Sequence, residues 1–227
     1  MPIYKKVNKD FFKVWTPKMS YILGFFAADG YMTLNKRGAY FWNIQITDKK
    51  LLEDIRRTIG SNHKISVRIG KVNERPLYRL QIGSKKMYYD LLALGFNQGK
   101  TKSLAVPNVP AIYFRDFVRG YFDGDGNVWS GHIHRNRPSN TLIITVVFTS
   151  SSFQFLSEIR RRLRLFMIFK GVLSKGKGNY YRLVYSIRDS LKLHDFMYNH
   201  PILAKDDIFL QRKRIIFEKY LKIRMRP

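Results

Sequence analysis

One nine-residue frame occurs twice in this chain. Residues 22–30 read Ile-Leu-Gly-Phe-Phe-Ala-Ala-Asp-Gly, and residues 118–126 read Val-Arg-Gly-Tyr-Phe-Asp-Gly-Asp-Gly. Both give an apolar residue, any residue, Gly, two aromatics, any residue, a small residue and then Asp-Gly. The spacing is 125 − 29 = 96 residues. Internal repetition restricts the fold before any other consideration, because each copy must be a self-similar supersecondary unit.

The flanking sequence repeats as well. Residues 41–47 and 142–149 are β-branched and aromatic runs, hence strands. Residues 51–57 and 155–161 have helical apolar spacing. Ile65, Val67 and Ile69 alternate with Lys64, Ser66 and Arg68, and Tyr78-Arg79-Leu80 returns as Tyr181-Arg182-Leu183. Helical patterns close both halves, over 85–94 and 189–198. Each half therefore reads helix, two strands, helix, two strands, helix, which is an α+β unit of roughly 100 residues in tandem duplication. Residues 1–105 form the first repeat and 106–227 the second. The link carries Pro107 and Pro110, and a further basic helix spans 208–225. The second half has a longer first hairpin.

The repeated frame makes physical demands. Thr16 is an N-cap, Pro17 suits the first helical position, and Gly30 and Gly126 fit the left-handed position that ends many helices. Gly24 stands four residues before Ala28, and Gly120 four before Gly124. A glycine inside a helix costs about 0.5–1 kcal/mol relative to alanine. Its recurrence at one place predicts a flat helix face and close helix–helix approach, the partner being the other copy across a pseudo-twofold axis. Asp29 and Asp125 then stand at the negative ends of their helices, a placement unfavourable by a few tenths to about 1 kcal/mol. If the two helices pack so, the two carboxylates also approach each other, and a divalent cation would remove both penalties, since carboxylates and peptide carbonyls are the hard oxygen ligands that Mg²⁺ prefers.

Composition narrows the partner. Lys plus Arg is 42 and Asp plus Glu is 16, a net charge of +26. Self-repulsion of this size calls for a polyanion, with nucleic acid ahead of an anionic membrane surface. No apolar run approaches the ~18 residues of a membrane span, and the N-terminus shows no signal-peptide core, which predicts a cytoplasmic, nucleoid-associated or organellar protein. Cysteine is absent. Disulfide scaffolds, zinc fingers, Cys nucleophiles and Fe–S sites are excluded. A basic protein holding Mg²⁺ between two carboxylates suggests phosphodiester hydrolysis.

These residues resemble the LAGLIDADG homing endonucleases of the monomeric, two-motif kind. The resemblance implies a duplicated αββαββα unit whose two antiparallel sheets form a DNA-binding saddle. It implies an intron-encoded or free-standing, sequence-specific double-strand endonuclease. Two or more Mg²⁺ ions would sit at Asp29 and Asp125, with the carbonyls of Ala28 and Gly124 assisting and Mn²⁺ or Ca²⁺ able to substitute in binding. Ala27 departs from the family pattern, which often has Asp there; the second copy keeps Asp123. By family position, Asp48 and Ser150 stand beside the metals. Lys85 (or Lys86) and Arg188, after the fourth strands, are the basic catalytic candidates.

Strand alternation places Asn43, Gln45, Thr47, Lys64, Ser66, Arg68, Arg79 and Gln81 outward in the first half. Thr145, Arg182 and Ser186 are outward in the second. Such side chains suit base edges and phosphates. Their differences between halves predict a long, asymmetric duplex target. His132 and His134 share a strand face with no third ligand nearby, His63, His194 and His200 read as loop or surface residues, and the run from Arg212 to Arg214 as a solvated or phosphate-touching face. The alternative functions on this scaffold are an RNA maturase acting on intron RNA and a DNA-binding regulator without cleavage. Self-splicing and a ribosomal role are less well matched.

Overall fold

The computed structural model describes residues 5–70, 74–99, 104–133, 140–199 and 207–224. The chain divides into two compact units, 1–121 and 122–227. Among the described residues no helix is long and apolar enough to cross a membrane.

The first unit begins with helix α1 (Pro17–Asp29), followed by β1 (Gly30–Leu34), β2 (Tyr40–Ile46), α2 (Lys49–Thr58), β3 (Ile65–Arg68), β4 (Leu77–Gly83) and α3 (Lys85–Ala93). Its antiparallel sheet has the order β1-β2-β4-β3. The caps follow the sequence. Thr16 accepts from the Met19 amide at 3.0 Å and Pro17 fills the first position. Asp48 and Ser84 cap α2 and α3 through Leu51 and Met87. The core lies between α1 and the central strands. Phe26 meets Trp42 of β2 and Phe96 edge to face, with centroids at 6.0 and 5.3 Å. Ile44, Leu80 and Ile82 complete the same sheet face, all fully buried.

After α3 the chain runs through buried Leu104 and Val109 into α4 (Phe114–Asp125). The first two turns of α4, residues 114–121, belong to the first unit. Here the glycine face appears. A methyl group added to Gly24 would lie 2.0 Å from the carbonyl oxygen of Phe117, and one added to Gly120 would lie 2.0 Å from that of Tyr21. Backbone therefore packs on backbone, closer than side chains on both helices would allow. Ser20 Oγ donates to the Tyr113 carbonyl at 2.8 Å beside this contact. A buried pair, Arg119 with Asp116 at 2.9 Å, flanks it.

The second unit continues with β5 (Gly126–Ile133), β6 (Thr141–Ser150), α5 (Phe153–Arg164), β7 (Val172–Lys175), β8 (Tyr181–Tyr185), α6 (Ile187–Tyr198) and α7 (Gln211–Arg224). Its sheet repeats the order as β5-β6-β8-β7. Each unit thus has the expected strand and helix order, and α7 is the added basic helix. It packs on β5 and α6. Phe217 of α7 meets Phe122 at 6.1 Å and His194 at 5.1 Å.

Several expectations need correction. Gly30 is not left-handed. Its φ is −89° and ψ 155°, and Gly126 has no positive φ either. In both motifs the chain passes straight from helix to strand. Glycine is needed for another reason: a Cβ on Gly30 would stand 2.0 Å from the Phe26 ring, and one on Gly126 2.3 Å from the Phe122 ring. The aromatic four residues upstream lies flat across each glycine. Val67 and Ile69 do not reach the core. They are 55% and 79% exposed because β3 is a short edge strand that ends at Arg68. His63 and His194 are buried, not superficial. Burial, with Lys5 nearby, holds the His63 imidazole below its usual pKa; burial does the same for His194 against the opposing Asp195 carboxylate. His134 and His200 lie outside the described residues.

Candidate functional site

The two acids of the repeated frame occupy the same structural slot. Asp29 is the last residue of α1 and Asp125 the last of α4, and each is followed directly by the first residue of a strand. Asp29 is half-buried and Asp125 exposed. Each acid lies five residues beyond the glycine of its motif, Gly24 or Gly120.

The second motif carries more. Asp123 is 2% exposed. Its carboxylate accepts from the Leu210 amide at 2.7 Å and from the Tyr198 hydroxyl at 3.5 Å. Leu210 immediately precedes α7, so the carboxylate lies at the positive end of that helix, where anions are favoured. In return, Lys213 of α7 sends its ammonium to the carbonyl end of α4. It donates to Phe122 O at 2.5 Å, Asp123 O at 2.8 Å, Gly124 O at 3.4 Å and Gly126 O at 2.5 Å. It also stands 5.0 Å from the centroid of the Phe122 ring. Lys213 is only 4% exposed, so the reading of 212–214 as a solvated or phosphate-touching face fails at this residue, while Arg212 is exposed. The signal was present in the sequence. Positions 213, 217 and 220 share one helix face, and the other two are the buried Phe217 and Tyr220. The Gly124 carbonyl, expected among the metal ligands, is therefore already facing an ammonium.

The basic candidates stand elsewhere. Lys85 is the first residue of α3 and lies over the Tyr40 ring, its ammonium 5.8 Å from the centroid. Tyr40 pairs with Leu34, whereas Gly30, next to Asp29, pairs with Ile44. Four residues of β2 separate those rows, about 14 Å at ~3.4 Å per residue. Lys85 is thus at the opposite end of the sheet from Asp29. Lys86 is engaged with Asp10, which lowers the Asp10 pKa through their hydrogen bond. Arg188 repeats the geometry: it follows β8 beyond Tyr185, which pairs with Val146, while Gly126 pairs with Phe148 and Asp125 lies on the far side of that row. The fourth strands end away from the acids because they run antiparallel to the second strands. Asp48 spends a carboxylate oxygen on the Leu51 amide, and Ser150 accepts from the Ser152 amide at 3.1 Å.

The outward sheet faces are ordered into rows. In the first sheet, Gln45, Arg79 and Ser66 lie side by side across β2, β4 and β3. In the second, Thr149, Arg182 and Ser174 lie side by side across β6, β8 and β7. Each row centres on an exposed arginine between two uncharged polar partners. Sequence reading picked out both arginines but passed over Thr149 of β6 and Ser174, the latter because β7 lacks alternation. Lys64, Thr47 and Arg68 are exposed, and Gln81 and Thr145 half-buried. Asn43 is not outward to solvent: it is 0% exposed, covered in its row by Tyr31 and Gln81, and its Oδ1 has no hydrogen-bond partner. Ser186 is exposed but lies past β8, at the N-cap position of α6.

Known proteins show the same organisation. The LAGLIDADG-like domain profile matches residues 16–94 and 114–196, one match per repeat. An uncharacterized protein of Methanocaldococcus jannaschii, MJ0398, is 25% identical over 215 residues, covering 91% of this chain and 72% of that one. Among solved structures, a mutant of I-SmaMI superposes with a TM-score of 0.64 at 13% identity, covering 92% of each chain. I-SmaMI bound to an uncleaved DNA target in the presence of calcium ions gives 0.58 at 13% identity, over 92% of this chain and 90% of that one. Two profile matches, each starting at a motif helix and ending in the helix after the fourth strand, settle the kinship: the chain belongs to the LAGLIDADG family.

Proposed function

We propose that this protein is a divalent-metal-dependent, site-specific DNA endonuclease. The supporting observation is a construction made twice. A motif helix ends on an acid, a glycine beneath an aromatic ring joins it to a strand, and that strand's sheet carries an exposed row centred on Arg79 or Arg182. Asp29 and Asp125 hold the cations, with the Ala28 carbonyl as an accessory ligand. The donors are all hard oxygens, which fit Mg²⁺. A divalent cation held there makes water acidic enough to attack and offsets charge on the phosphate. The arginine rows, with Gln45, Thr47, Lys64, Ser66, Arg68, Gln81 and Thr145, bind duplex DNA. Arginine at a row centre can take a guanine edge with two of its N–H groups, and its uncharged polar neighbours can bond adjacent edges or phosphates. The rows differ between the units, so the target is asymmetric and a monomer reads it.

The test is cleavage of a randomised duplex library, and of host-derived duplex, with Mg²⁺. Wild-type protein cuts at discrete sites. Asp29→Asn and Asp125→Asn each lower the single-turnover rate by ~100-fold or more while leaving affinity for a cut-site duplex in Ca²⁺ within ~3-fold. Undiminished cutting by either variant removes the mechanism. Wild-type protein that binds duplex and never cuts it, with Mg²⁺ or Mn²⁺, is a DNA-binding protein instead.

A further inference from the structure

We infer that Lys213 is the resident cation of the second motif helix and a positioning residue for Asp125. The inference rests on the functional reading above for its cleavage arm only. A buried ammonium is heavily penalised unless its donors are met. Lysine has three donors, and here four carbonyl oxygens surround it, those of Phe122, Asp123, Gly124 and Gly126. They flank Asp125 on both sides in sequence. The first three are carbonyls a helix leaves unpaired at its end, where the dipole is negative, and the fourth belongs to the first residue of β5. The ammonium satisfies them together and holds the turn from α4 into β5 in one geometry. Lys213 is too deeply buried to touch a phosphate, so it acts through the backbone that carries Asp125.

The same arrangement explains the difference between the two motifs. Asp123 is unfavourable for α4, whose negative end it occupies, and favourable for α7, whose first amides it faces through Leu210. Carboxylate and ammonium are exchanged between the two helix ends. Tyr198 supports the carboxylate, and Arg214 lies over the rings of Tyr198 and Phe209, 5.9 and 5.0 Å from their centroids, fixing the entry to α7. In the first unit the chain after α3 runs through Leu104, Val109 and a 3-10 turn (Ala111–Tyr113) into α4, and among the described residues no counterpart of α7 follows α3. The first motif has Ala27 at the position of Asp123. Asp123 is accordingly an anchor for α7 rather than a metal ligand.

The absence of cysteine makes a charge-specific test clean. Lys213→Cys is alkylated in urea and refolded. With 2-bromoethylamine the thiolate displaces bromide and leaves an ammonium at the lysine distance. With 1-bromopropane the same displacement leaves an uncharged isostere. In metal-free buffer the propyl form is expected to unfold ~4 °C or more below wild type, and the aminoethyl form to regain most of that. The amide nitrogen–proton resonances of Asp125 and Gly126 move in the propyl form and return in the aminoethyl form. Cleavage at saturating DNA falls ~100-fold or more in the propyl form, with duplex affinity within ~3-fold, and recovers with the ammonium. Equal impairment of the two alkylated forms would make Lys213 a packing residue and overturn the inference, as would a propyl form matching wild type. If wild-type protein does not cut DNA, the functional reading fails, while the unfolding and resonance comparisons still decide the role of Lys213.

Discussion

Gly24 and Gly120 act as contact surfaces. A Cβ at either position would meet a backbone carbonyl oxygen at 2.0 Å, and backbone cannot rotate away as a side-chain end can. Gly24→Ala and Gly120→Ala are therefore expected to destabilise by ~2 kcal/mol or more, at the upper range of core overpacking. Urea unfolding of each variant measures this. Gly38→Ala is the comparison, since nothing lies within 4 Å of it and only its positive φ is at stake. A loss at Gly24 no larger than at Gly38 would mean that the helices accommodate a methyl group. The sequence exposed these glycines through repetition, because two helix-breaking residues in register imply a common cause. It did not reveal why Gly30 and Gly126 are glycine. That reason is an aromatic ring four residues upstream, a contact across a helix-to-strand junction that no local turn rule anticipates. Asn43 was misplaced for a related reason: alternation gives the face of a central strand, but neighbouring side chains decide whether that face is open.

At the scale of elements, four helices start on capping side chains that the sequence could display: Thr16, Asp48, Ser84 and Ser152. Asp48 separates two roles. If its carboxylate serves mainly to cap α2, Asp48→Asn keeps an acceptor and changes stability by a few tenths of a kcal/mol, while Asp48→Ala costs about 1 kcal/mol. Denaturant midpoints for the pair decide it; a large cleavage defect in Asp48→Asn at unchanged stability would return Asp48 to the site. Both sheets were legible in outline because strands two and four of each repeat are β-branched and aromatic. The edge strands β3 and β7 were not. An edge strand packs on one neighbour only, so its apolar residues can stay exposed and alternation loses its meaning. Strand direction places the fourth-strand basic residues away from the acids. Lys85 and Arg188 follow strands antiparallel to those paired near the acids, and no feature of residues 83–88 or 185–190 reports that.

For the whole molecule, the proposed binding of DNA is expected to be dominated by charge. Of the 42 basic residues, the buried Lys213 and Arg119 are engaged internally, but most lie on the surface. The logarithm of duplex affinity should fall linearly with the logarithm of salt, with a slope of ~5 or more if six or so phosphates are neutralised at ~0.9 each. Fluorescence anisotropy across a potassium chloride series measures the slope. A slope below ~2 would show that the basic surface does not track the DNA backbone. Arg79→Ala and Arg182→Ala should each lower that slope by about 1 or less and chiefly relax sequence preference, since they sit at row centres suited to base edges.

No residue separates Asp29 from β1 or Asp125 from β5. Helix and strand share a boundary in both places, and the rings of Phe26 and Phe122 clamp it. Such a junction has no hinge. Each carboxylate is a rigid extension of its sheet's first strand, so a tilt or slide of the strand as the sheet settles onto a ligand moves the acid by the same amount. Goodness of fit along the sheet is thereby converted into carboxylate position, without a moving loop as intermediary.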